Sequence, residues 1–183
     1  MYQMRLITGF FLYLIVSTAN GQIIVEDDAG RVIMLDKPAI KVVSLAPHVT
    51  ELLYAAGADK QIVGTVSYSD YPEKARKLPL IGTYNKFDLE SIVAINPDLI
   101  VAWQTGNPEE QLNELAELGF NVFFSEPKSL DDIASNIKRM GKLLGTSKIA
   151  NKEASYFISK LNHLRNDYLL KKKVSVFYQV WNR

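Results

Sequence analysis

The sequence predicts an α/β fold: a parallel sheet with flanking helices. Three observations point there. From Lys41 onward, short apolar runs alternate with segments of helical period. The first of these runs, KVVSLA (41–46), is rich in β-branched residues, as buried strands are. The helical segments carry their own start and stop residues. Strand and helix alternating at this spacing imply a parallel sheet with helices on both faces.

KVVSLA (41–46) reads as a buried strand, and TELLYAAG (50–57) as a helix closed by Gly57. QIVGTV (61–66) is a second strand, followed by the loop SYSDYP (67–72). DLESIVAI (88–95) is a helix capped by Asp88 and ended by Asn96-Pro97, because a residue before proline avoids the helical region. DLIVAW (98–103) is a third strand. In NPEEQLNELAELG (107–119), Asn107 caps a helix, Pro108 takes its first turn, Glu110 sits at the capping-box position and Gly119 terminates it. NVFF (121–124) is a fourth strand, and a helix runs from Ser129 to Gly145.

A long helix then covers about 148–170, with Ala150, Ala154, Phe157, Ile158, Leu161, Leu164 and Tyr168 on one stripe. At 1.5 Å per residue it is roughly 35 Å long, more than one small sheet needs. Lys171, Lys172 and Lys173 close it at the negative end of its dipole. VSVFYQVWNR (174–183) reads as an orphan strand. In such sheets ligands sit beyond the carboxyl ends of the strands. The loops 67–72 and QTGNP (104–108) both leave strand ends, so one edge is expected to carry both.

The chain has 183 residues, 48% apolar and 22% charged, with a formal net charge of +1. That is a globular composition, and the balanced charge argues against a nucleic-acid partner. There is no cysteine, which excludes disulfides, thiolate zinc sites, a cysteine nucleophile and an acylated lipoprotein cysteine. Residues 1–21 have the order of a secretory signal peptide: Arg5, an apolar stretch from Leu6 to Val16, then small residues. That stretch falls well short of the ~20 residues a membrane span needs. Cleavage is expected after Gly21, with Ala19 as the next choice.

Several blocks together carry a resemblance. DDAGRVIMLDKPAIKVVSLAPHVTELLYAAGA (27–58) and VGTVSYSDYPEKARKLPLIGTYNKFDLESIVAINPDLIVAW (63–103) resemble signatures of the class III periplasmic substrate-binding proteins of ABC importers. Within that family, SYSDYP resembles the cobalamin (vitamin B12) binding branch. The resemblance spans about residues 24–182. It implies two lobes joined by a rigid helix, with the ligand between them. On that reading 22–146 is the first lobe, 147–172 the linking helix and 173–183 the start of a second lobe whose remainder is missing.

The resemblance also implies roles. Tyr68 is the better ligand contact of the 67–72 loop; Tyr71, beside Pro72, anchors it or contacts ligand. Tyr84 stands where cobalamin binders of this family tend to carry a tryptophan against the ring. Trp103 ends a strand at the ligand edge and either touches ligand or packs in the rim. Glu90 suits the positive end of its helix; the resemblance implies that it docks into an arginine pocket of the membrane permease.

Other constellations are weaker. His48 begins a helix near the cleft and could touch a ligand or haem iron, although a lone histidine is more often structural. His163 lies on the exposed side of the long helix. Ser44, His48 and Glu51 look triad-like without a nucleophile elbow. Asp27-Asp28, Glu109-Glu110 and Asp131-Asp132 are read as caps or surface loops. The glycines form no phosphate-binding fingerprint.

The leading expectation is non-catalytic capture of cobalamin, with no cofactor and no metal of its own. The alternative ligands are a ferric siderophore, which would want an arginine or lysine cluster in the cleft where only the scattered, solvent-facing Lys74, Arg76, Lys77 and Lys86 are expected nearby, or haem, with Tyr68 or His48 as axial ligand. An α/β enzyme is the second class. The third is a truncated chain without binding competence, whose exposed lobe face would favour self-association.

Overall fold

The computed structural model describes residues 21–179. The expected signal peptide at 1–21 lies almost wholly outside them, as do residues 180–183. The chain opens with an antiparallel hairpin, β1 (Ile23–Glu26) and β2 (Val32–Leu35). The central sheet contains β3 (Val42–Ser44), β4 (Ile62–Gly64), β7 (Leu99–Trp103) and β8 (Val122–Ser125) in the order β4-β3-β7-β8, all parallel. A two-stranded ribbon, β5 (Gly82–Thr83) and β6 (Lys86–Phe87), precedes α2 (Leu89–Ile95).

The period-2 alternation of β7 explains the layers. Leu99 and Val101 join one core cluster, while Ile100 and Ala102 join the other. The first cluster packs against α1 (Pro47–Ala55), α4 (Leu130–Leu143), α5 (Ser147–Tyr168) and the hairpin. The second packs against α2 and α3 (Glu109–Glu117). Helices therefore cover both faces, as expected.

Local signals hold in part. Asp88 caps α2, accepting from the Ser91 N–H at 3.2 Å. Ser129 and Asp132 form a full capping box on α4. The helix expected at 50–57 instead begins at Pro47, whose fixed φ suits a first helical position. Asn107 does not cap α3: the cap residue is Pro108, and Glu110 closes no capping box. The Asn107 side chain is buried and bonded elsewhere. The β1–β2 hairpin, which the alternation rule leaves out, lays Val25, Ile33 and Leu35 on the first core.

On α5 the expected stripe is buried only at its start. Ala150 and Ala154 are buried and Phe157 and Ile158 pack partly, but Leu164 and Tyr168 are exposed. The start docks tightly because Gly141 on α4 meets Ala150: a β-carbon on Gly141 would lie 2.2 Å from that of Ala150. The expected orphan strand is absent across 174–179, and Val176, Phe177 and Tyr178 are exposed. A strand needs a ladder partner, and none of the described strands pairs with this segment.

Candidate ligand-binding cleft

Because β3, β4, β7 and β8 are parallel, their carboxyl ends share one edge. The loops leaving that edge bring His48, Tyr68, Trp103 and Glu126 to the same side of the sheet. Trp103 is the centre of an aromatic run. Its ring meets His48 edge-on, with centroids 5.4 Å apart at 88°, and Tyr84 at 6.1 Å and 44°. Such tilted and T-shaped contacts suit aromatic quadrupoles.

Asn107 holds this arrangement. Its Oδ1 accepts from the Trp103 N–H at 2.7 Å, and its Nδ2 donates to the carbonyls of Leu45 (2.8 Å) and Tyr84 (2.7 Å). One buried amide thus ties the loops after β3 and β7 to the β5–β6 turn. Burial of an amide is tolerable only with its bonds made.

The 67–72 loop is held by a second polar knot. Thr50 Oγ1 lies 2.8 Å from both Ser44 Oγ and Thr65 Oγ1 and donates to Ser69 Oγ at 3.1 Å. All four residues are buried. Ser69 is thereby pinned inward, and its neighbour Tyr68 stands outward, 79% exposed, in the left-handed region at φ 68°. Such a conformation costs a tyrosine about 1–3 kcal/mol and persists only where surroundings impose it. Ser44 is thus engaged with Thr50 and the Ala46 carbonyl rather than with His48, so no nucleophile triad forms.

Beside Trp103 a cleft of about 510 Å³ opens. His48, Trp103 and Phe157 give it aromatic walls, Leu52 and Ile133 an apolar floor, and Glu51 and Glu126 two carboxylates. Burial pushes His48 below the usual histidine range, against the pull of the Glu126 charge. Burial, with the nearby charge of Asp70, raises Glu51. Another groove, about 410 Å³, opens at the opposite edge near Asn96, Asp98 and Gly119, away from the strand ends where ligands sit.

The expected site residues are brought together only in part. Trp103 lines the cleft, and Tyr84 packs on its ring without lining the cavity. Tyr68 shares the edge but makes no ring contact with either. Glu90 is exposed on the first turn of α2, in a shallow groove with Phe87 and Gln111. His163 is exposed on α5, 3.3 Å from Asp167. The cations do not converge: Lys74 pairs with Asp59 at 2.7 Å, and Arg76 lies 3.6 Å from Asp70. None of Lys74, Arg76, Lys77 and Lys86 lines the cleft.

Sequence reading left out Glu126 and placed Phe157 on the long-helix stripe but not in the cleft. Glu126 follows β8 as Gln104 follows β7, so the carboxyl-end rule could have found it. The Asp27-Asp28 reading is corrected: these residues are not a surface pair. Asp27 is buried and accepts from Arg31 Nε (3.1 Å) and the Phe124 N–H (3.1 Å). Asp28 accepts from Arg139, from Asn136 at 2.9 Å and from the Glu126 N–H at 2.6 Å. Burial alone would raise Asp28; the bonds from Arg139, Glu126 and Asn136 together outweigh it and lower the net value. The hairpin turn thereby fixes the backbone of Glu126.

Residues 42–181 match the periplasmic binding protein family. The chain is 38% identical over 143 residues to a vitamin B12-binding protein of Vibrio cholerae, covering 78% of this chain and 52% of that protein. A vitamin B12-binding protein of Yersinia pestis is 39% identical over 141 residues, covering 77% of this chain and 50% of that protein. The crystal structure of the periplasmic vitamin B12 binding protein BtuF of Vibrio cholerae superposes with a TM-score of 0.70 at 39% identity, over 73% of this chain and 52% of that one. The periplasmic heme-binding protein RhuT from Roseiflexus gives 0.62 at 27% identity, over 69% and 49%. The chain spans about half the length of the curated relatives it matches.

Proposed function

The chain belongs to the periplasmic binding protein family, and on that footing we propose that it captures cobalamin at the carboxyl edge of its sheet for delivery to an ABC permease. The capture is noncovalent. One observation carries the reading: the His48–Trp103–Tyr84 aromatic run stands at the ligand edge of a chain 38% identical to a vitamin B12-binding protein. Cobalamin is a large, flat, amphipathic ring system with amide arms. Aromatic faces and a few hydrogen-bond partners suffice to hold such a ligand. Trp103 and Tyr84 supply the faces, and Tyr68 supplies a face with a hydroxyl tip from the neighbouring loop.

Glu90, exposed at the start of α2, is the group that docks on the permease; a charge pair there sets orientation and speeds encounter. The helix α5, Ser147–Tyr168, leads out of this first lobe, 22–146, toward a second one. Residues 1–21 direct the chain to the periplasm and are removed there. Haem is the second reading, because His48 lines the cleft and burial favours its neutral imidazole, the form that ligates iron.

Titration of the purified protein with cyanocobalamin and, separately, with hemin tests both. Saturable cyanocobalamin binding without a hemin spectral shift supports the first reading. A shifted hemin Soret band that is lost in His48→Ala would replace it with the second.

A further inference from the structure

The aromatic wall leaves the charge of the cleft unexplained. Glu51 and Glu126 line the cavity, and among the described residues no lysine or arginine does. The two carboxylates are held differently. Glu126 is fixed: its oxygens accept from the Thr105 N–H and hydroxyl, both at 3.0 Å, while its own N–H is bound by Asp28. Glu51 stands one turn of α1 beyond His48, and its carboxylate takes no hydrogen bond or ion pair from any described residue. The cations nearest in sequence are engaged elsewhere, Lys74 by Asp59 and Arg76 by Asp70. The field over the aromatic wall is therefore negative.

A ligand rim laid against Trp103 would meet these oxygens. Amide N–H groups can donate to them; carboxylates are repelled. With solvent reaching the exposed Glu51, the two like charges facing a rim carboxylate together cost about tenfold in affinity. We propose that Glu51 and Glu126 impose a charge rule on the cleft: it accepts a flat chelate with neutral amide donors at its rim and discriminates against one bearing carboxylates there. The rule rests on reading this cleft as the ligand site and adds the residues that set its selectivity.

The test compares cyanocobalamin with its monocarboxylate, in which one propionamide is hydrolysed. Both are titrated into the wild-type protein, Glu126→Gln and the double variant Glu51→Gln/Glu126→Gln, with circular dichroism as the folding check. The wild type should prefer the amide form about tenfold. The preference should narrow in Glu126→Gln and approach unity in the folded double variant. Equal wild-type affinities, or an unchanged ratio in the double variant, overturn the rule. Failure of cyanocobalamin to bind at all would defeat the cobalamin reading instead. The rule is then decided by a tetracationic and a tetraanionic porphyrin, read by their absorption bands. A cationic preference erased in the double variant sustains it; equal binding overturns it.

Discussion

Gly106 lies against the indole of Trp103: a β-carbon built on it would fall 1.9 Å from Cε3 and 2.2 Å from Cδ2 and Cζ3. No real side chain fits there, so Gly106→Ala must move the ring or its loop. The loop is tied by the three bonds of Asn107, so the ring gives way. Ligand affinity should fall about tenfold, for a stability loss of about 1–3 kcal/mol. Parallel ligand titration and urea unfolding check this; unchanged affinity would show that the indole face is not in contact with ligand.

Thr50→Val tests the knot under the 67–72 loop. The change keeps shape but removes the hydroxyl shared by Ser44, Thr65 and Ser69. Leaving buried hydroxyls short of a partner costs about 1–3 kcal/mol. The urea midpoint should drop accordingly, and the amides of 67–70 should exchange faster with solvent than those of β7.

Acid unfolding should show two separable contributions. His48 has a lowered pKa in the folded chain, so the unfolded chain takes up the proton first. Stability therefore falls as pH drops below the ordinary value of 6.5 toward the lowered one. Asp28 is also lowered, from 3.8; its stabilisation is present above that value and is lost as pH falls through the folded pKa. His48→Gln should flatten the first step and Asp28→Asn the second, in denaturant midpoints measured from pH 8 to pH 3. A profile unmoved by both variants would contradict the assignment.

Much of the fold was legible because its signals are local. Short apolar runs mark the four central strands, and Asp88 and Ser129 cap their helices through contacts three residues away. Asn107 misled for a physical reason: asparagine before proline reads as a cap, but its amide is claimed by the distant carbonyls of Leu45 and Tyr84. The Asp27-Asp28 turn misled likewise, since its partners Arg139, the Phe124 amide and the Glu126 amide come from α4, from β8 and from the residue just after β8. Trp103 was legible from its position at a strand end and lines the cleft; Tyr84, singled out by resemblance, packs on its ring outside the cavity. Phe157 reaches the cleft only through the packing of α5, which periodicity places on a stripe but not beside a particular loop.

Calorimetric titration of cyanocobalamin into the wild-type protein and Trp103→Ala, side by side, tests the central claim most directly. The account predicts saturable one-to-one binding to the wild type, weakened at least about tenfold in the variant, the scale of a lost aromatic contact of about 1.4 kcal/mol. Absence of wild-type binding, or equal affinity in the folded variant, would contradict it.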